Sequence, residues 1–187
     1  MSGTPSRRLV LAGGVCTLAG AALGAGDTRG NADAPSAVRW ARPAIPRRDV
    51  SGLWLEDETG APVPLARFAG EVLVINLWAS WCAPCRREMP SLARLASEVA
   101  GQGVRVLPLA FERKGPAAVR RFYGETGIDT LPVLLGDAVN LKATLGISRL
   151  PTTLVLDGTA HHIATVGGEA TWDDAETLAW LMGLAGS

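Results

Sequence analysis

The stretch VLVINLWASWCAPCRREMPSL, Val72 to Leu92, decides the fold. Its first seven residues, Val72 to Trp78, form an apolar run of strand length broken only by Asn76. That is the pattern of a strand buried on both faces of a sheet. Beyond it, Met89, Leu92, Leu95, Ala96 and Val99 recur at helical spacing as far as Gly101, and VRVLPLAF (Val104 to Phe111) reads as a second buried strand. Strand, helix, strand implies a right-handed parallel crossover. Between the first strand and the helix stand Cys82 and Cys85. Cys82 is thereby expected at the helix N-terminus and Cys85 one turn along on the same side. Pro84 suits the first turn, where no intrahelical N–H bond is lost.

Working outward, Pro116 suits the start of a helix running to about Gly124, and NLKATLGI suggests a short helix around Leu141. The segment TTLVLDGTAHHIATVGG gives two strands around a DGTA turn, an antiparallel hairpin. Thr171 with Asp174 three residues on forms a capping box for a last helix carrying Trp172, Ala175, Leu178, Ala179 and Met182 on one face. On the N-terminal side, Trp54 and Leu55 lead into a DETG turn followed by Val63 and Leu65, which suggests a small hairpin. The class is α/β: a mixed central sheet flanked by helices, with an N-terminal hairpin extension, over residues 51–187.

Residues 27–50 mix Gly, Pro, Ala and charge without an apolar period and read as a flexible linker, with Trp40 and Ile45 available to dock on the domain. Before them, Arg7 and Arg8 precede an uncharged run from Leu9 to Gly26 and then Asp27. A basic start, an apolar middle and a small-residue exit read as an export signal over 1–26. SRRLVL resembles a twin-arginine signal, so export is expected by the Tat or the Sec route, to the periplasm or another extracytoplasmic space. The run is barely long enough to span a bilayer that needs about 20 residues, so cleavage is favoured over a membrane anchor at 9–26. Cys16 lies in this segment, but Gly13 and Val15 do not make a lipidation signal.

Length and composition bound the rest. The chain has 187 residues, 48% of them hydrophobic, enough for one domain with a real core. Lysine plus arginine number 18 and acids 18, so no net basic field draws the protein to nucleic acid. Once the signal is removed, only Cys82 and Cys85 remain. Two cysteines are no disulfide framework, so the pair is reactive or a local staple.

A helix N-terminus favours negative charge, and thus thiolate. A free cysteine has a pKa of about 8.5, falling to about 7 or lower in Cys-X-X-Cys motifs at helix starts. On this geometry Cys82 is the exposed nucleophile and Cys85 the inward, resolving thiol. A structural zinc site wants four ligands, and His161 and His162, adjacent on a strand, point to opposite faces. Arg86 stands where a c-type haem site would want histidine, and Ile75 and Ala79 do not fit a peroxidatic pattern. Neither a metal nor another cofactor is expected.

The quoted motif closely resembles the TlpA/ResA branch of thioredoxin-like thiol:disulfide oxidoreductases, and GISRLPTTLVLDG (Gly146 to Gly158) resembles that branch's later loop and strand. The resemblance runs from about Gly52 to the end, with 112–146 matching only in general layout. It implies a thioredoxin-like fold, Cys82 and Cys85 as the redox pair, Trp81 shielding them, and a cis peptide bond at the Leu150–Pro151 step facing the disulfide. Without the resemblance, a trans proline at a strand start is the default for Pro151. Where thioredoxin has a buried aspartate, Asn76 stands, which cannot take a proton at neutral pH.

Glu88, three residues after Cys85, matches a glutamate that tunes the redox site in that branch. Its other reading is a surface residue. Arg86 and Arg87 either steady a thiolate or partner or are exposed helix-face arginines. The branch implies a monomer that reduces protein disulfides in c-type cytochrome maturation or copper-oxidase assembly, recharged by a membrane thiol donor of the DsbD/CcdA type. The competing readings are a dithiol oxidase or isomerase, and a copper chaperone.

Overall fold

The computed structural model describes residues 1, 3, 33–53, 55–136 and 146–186. The expected export signal over 1–26, Trp54 and the short helix around Leu141 lie outside the described residues, apart from positions 1, 3 and 146 onward. Among the described residues no helix is long and apolar enough to cross a membrane.

Among the described residues seven strands form one sheet: β1 (Ala41–Asp49), β2 (Leu55–Asp57), β3 (Val72–Trp78), β4 (Val104–Ala110), β5 (Leu134–Gly136), β6 (Thr152–Leu156) and β7 (His161–Gly167), in the order β1-β7-β6-β3-β4-β5-β2. The helices among the described residues are α1 (Ala37–Trp40, a single turn), α2 (Ala83–Glu98), α3 (Pro116–Thr126) and α4 (Ala175–Ala185). β3 is central and every one of its residues is buried. It pairs in parallel with β4 across the α2 crossover and antiparallel with β6.

Alternation along β3 divides the core. Val72, Val74 and Trp78 pack with Met89 and Leu92 of α2, Phe122 of α3 and Leu181 of α4. Leu73, Ile75 and Leu77 face the other way, onto Leu55, Val63 and Leu65 of the segment before β3. Asn76 shares the parity of Val74 and Trp78, so the strand itself aims a polar side chain at α2. α3 begins with Pro116 in its first turn and stops at Gly127, whose φ of 69° supplies the left-handed cap.

Two expectations need correction, those for the linker and for the last helix's cap. The linker expected over 27–50 is, from Ser36 on, built into the fold: Ser36 bridges Thr171, the Ala37 N–H at the start of α1 donates to the Thr171 carbonyl at 2.9 Å, and β1 pairs antiparallel with β7. Backbone pairing holds β1 itself, and the buried side chains of Ala37 and Val50 anchor the segment at either end, while Ile45 and Trp40 stay exposed. The small hairpin expected around the DETG turn forms: the Asp57 N–H donates to the Ala61 carbonyl at 2.9 Å across the turn. Glu56 bridges Pro62 and the Val63 N–H reaches the Leu55 carbonyl, Leu65 then enters a 3-10 turn (Leu65–Phe68), and β2 also pairs with β5. The α4 cap is Asp174, not Thr171. The Asp174 carboxylate accepts from the N–H groups of Glu176 and Thr177, while the Thr171 hydroxyl donates to the Ala34 carbonyl.

Asp174 also accepts from the hydroxyls of Ser36 and Thr177, tying α1 to α4. Asp174→Ala is therefore expected to cost about 1–2 kcal/mol, the upper part of the range for an N-cap. A urea midpoint unchanged in the variant would contradict this capping role.

Candidate functional site

The β3–α2 junction carries the site. Trp78 ends the strand, and four residues later the chain enters α2 with Cys82 as N-cap. The Cys85 N–H donates to Cys82 Sγ at 3.4 Å, so a free helix-end donor points at this sulfur. Pro84 stands in the first turn as expected, and the helix runs on through Pro90. Cys82 and Cys85 are disulfide-bonded. Cys82 keeps 7% of its surface exposed and Cys85 none, which orders them as outer and inner sulfur. Trp81, expected to shield the pair, is 69% exposed and stands out beside Cys82.

The antiparallel register of β3 and β6 matches Leu77 with Thr152. Pro151 therefore lies at the end of the sheet from which the Cys82 loop leaves. The Leu150–Pro151 bond is cis, as the resemblance implied, and a second cis bond occurs at Ile45–Pro46. Leu150 is half-buried between the two core clusters.

Glu88 is 1% exposed, which removes its surface reading. Its Oε1 accepts from Asn76 Nδ2 at 2.8 Å, and its Oε2 from the Ala170 N–H at 3.1 Å and Trp172 Nε1 at 3.4 Å. Burial pushes its pKa up to about 8, against the opposing pull of those three donors. At neutral pH the carboxyl is thus mostly protonated. Asn76 Nδ2 also reaches Thr153 Oγ1 at 2.9 Å, its cross-strand neighbour, while Asn76 Oδ1 is buried without a partner among the described residues. The Ser91 hydroxyl donates to the Glu88 carbonyl and accepts from the Trp172 N–H, pinning the 170–172 segment to the helix.

Sequence reasoning placed Glu88 on the face of Cys85. It missed Asn76, Ala170 and Trp172 as its partners, although the parity of β3 marked Asn76.

The two arginines part company. Arg87 pairs with Glu169 across the surface. Arg86 lies over the Phe122 ring, 4.7 Å from its centroid, and 3.8 Å from Glu125. His161 and His162 turn to different partners: Thr159 Oγ1 for the first, the Ala164 carbonyl and Thr165 hydroxyl for the second. Partial burial holds His162 below the usual imidazole range. Among the described residues no three His, Cys, Asp or Glu side chains are grouped to hold a metal ion.

Comparison with known proteins points the same way. The Redoxin family profile matches residues 30–173, beginning well before the domain start expected at 51. Over 103 residues the chain is 31% identical to thiol-disulfide oxidoreductase ResA of Halalkalibacterium halodurans, covering 55% of this chain and 57% of that protein. ResA of Bacillus subtilis is 28% identical over 123 residues, 66% of this chain and 68% of the relative. The chain thus spans little more than half the length of the first of these relatives. A secreted thiol-disulfide isomerase from Corynebacterium glutamicum superposes with a TM-score of 0.63 at 24% identity, covering 79% of this chain and 93% of the other. At that identity the likeness is one of fold, and the fold is the thioredoxin-like one expected.

Proposed function

The chain belongs to the Redoxin family, and on that footing we propose that it is an extracytoplasmic thiol:disulfide oxidoreductase that reduces protein disulfides through Cys82 and Cys85. The observation that carries the reading is the ordered pair at the start of α2, with the outer sulfur accepting a helix-end N–H and the inner one fully buried.

In the reduced enzyme the Cys82 thiolate attacks one sulfur of a substrate disulfide. A Cys82–substrate bond forms and the other substrate sulfur leaves as a thiolate. Cys85 then loses its proton and attacks Cys82 Sγ, closing the 82–85 disulfide and releasing the second substrate thiol. Two electrons pass from the enzyme to the substrate. Glu88, one turn beyond Cys85 on α2, is the group suited to take the Cys85 proton. Its pKa of about 8 lies close to that of an ordinary thiol. Asn76 positions it.

The N-terminal basic and apolar run supports an extracytoplasmic place of work, reached by Tat or Sec export. A reductant there requires electrons from the other side of the membrane, which a DsbD/CcdA-type donor would supply. Substrates of the classes served by the TlpA/ResA branch, apocytochromes c or copper-oxidase subunits, fit such a monomeric enzyme.

The direction of flow follows from thiolate stability. A strongly depressed thiol pKa makes a dithiol oxidising, with potentials of about −120 mV for DsbA and about −270 mV for thioredoxin. Here one helix-end N–H favours the Cys82 thiolate, while any ionisation of buried Glu88 works against it. The potential is expected nearer thioredoxin's value. Equilibration with glutathione, followed through the fluorescence of Trp78 and Trp81, measures it, and a value nearer about −120 mV would make the protein an oxidase instead.

A further inference from the structure

Beside the cysteines, a cleft of about 330 Å³ opens between the start of α2 and the β4–α3 connection. Trp81 and Ser80 form its end next to Cys82, and Arg86, Arg113, Lys114 and Arg121 line it. Among the described residues two acids, Glu112 and Glu125, share the lining. Both are engaged: the Glu112 carboxylate accepts the Ser80 N–H, and Glu125 sits between Arg86 at 3.8 Å and Arg121 at 4.0 Å. Arg113 and Lys114 are exposed and have no acidic partner among the described residues. The excess of positive charge is local, because the whole chain carries as many acids as bases. Arg86 is held in place by its seat on the Phe122 ring.

We propose that this cleft docks an acidic stretch of the substrate protein lying next to its disulfide, with Arg113, Lys114, Arg86 and Arg121 as the charge-complementary wall and exposed Trp81 as the apolar contact at the reacting end. The proposal rests on the oxidoreductase reading and adds the substrate's chemical class to it. A substrate cysteine bonded to Cys82 must run its neighbouring residues over the surface around Trp81, and the cleft begins there. Unpaired cations at its far wall have no structural use that the fold reveals, whereas a facing acidic segment would satisfy them. Such complementarity acts on encounter and partner choice more than on tightness of binding.

The test uses the reduced full chain and three disulfides: two peptides of equal length, one with Asp and Glu and one with Lys and Arg flanking the same disulfide, and uncharged 2-hydroxyethyl disulfide. Oxidation of the enzyme is followed by tryptophan fluorescence. At low ionic strength the acidic peptide is expected to react at least about tenfold faster than the basic one, as for electrostatically steered encounter. The ratio should fall towards one in high salt, and also in the Arg113→Ser, Lys114→Ser double variant. Because a ratio within one protein is read, any general loss of activity in the variant cancels. Equal rates with the two peptides, or a preference that survives the double substitution, would overturn the docking proposal while reaction with 2-hydroxyethyl disulfide upholds the oxidoreductase reading. No reaction with any of the three would remove both.

Discussion

Cys82→Ser is expected to lose disulfide reduction by about a thousandfold or more, as removal of an attacking nucleophile does, whereas Cys85→Ser should still attack and then stall as a mixed disulfide. The asymmetry is built into the start of α2. Cys82 is the N-cap, and its sulfur receives the Cys85 N–H and retains the pair's only exposure. An incoming disulfide therefore meets Cys82 first. Cys85 has no route to solvent, and its one available target is the sulfur of Cys82 itself. Without it the mixed disulfide cannot be resolved from within the protein. Non-reducing electrophoresis and mass spectrometry of each variant after exposure to a disulfide peptide would read this directly. Equal accumulation of adducts on both variants would mean that either sulfur can lead, and the assignment of outer and inner roles would fail.

Much of this junction was legible because its signals are local. Seven buried residues in a row, two cysteines, a proline and a helical period occupy one stretch of chain, and each constrains only its neighbours. β1 was not legible for the opposite reason. Its sequence, ARPAIPRRD, has no alternation, and only its first and fourth residues are even partly buried. Periodicity reports burial, and an edge strand held by backbone pairing to β7 buries little. The α4 cap failed through a choice between equals. Thr171 and Asp174 are both able caps three residues apart, and the decision was made by Ala34 and Ser36, far away in sequence. The cleft beside Trp81 joins residues 80–86 to 112–125, a juxtaposition that exists only after β4 and α3 are placed.

Glu88 stood between these cases: its helix face was readable, but two of its three donors come from more than eighty residues away. Glu88→Gln is expected to slow the resolving step by about a hundredfold near pH 8, within the range for loss of a proton acceptor, and to flatten its pH dependence. In the wild type, the rate should climb as the carboxyl ionises around pH 8. Glutamine cannot ionise, so that rise should vanish. Stability moves in the opposite sense. A carboxyl with a folded pKa of about 8 and an ordinary value of 4.5 holds its proton in the folded state after the unfolded chain has lost it. Its stabilising contribution is complete below about pH 4.5, declines as pH rises, and is gone above about pH 8, a change on the order of a few kcal/mol. Glu88→Gln removes this decline, and above pH 8 the variant should be the more stable protein. Asn76 makes the substitution tolerable. Its buried Oδ1 has no partner among the described residues, and a half-turn of the amide would offer that oxygen to the NH2 group of the substituted side chain, or to the proton of a neutral Glu88. Stopped-flow measurement of the resolving step from pH 6 to 9, with urea titrations across the same range, separates the two effects. A variant with the wild-type rate profile but altered stability would leave Glu88 as a buried structural acid and assign the Cys85 proton to solvent.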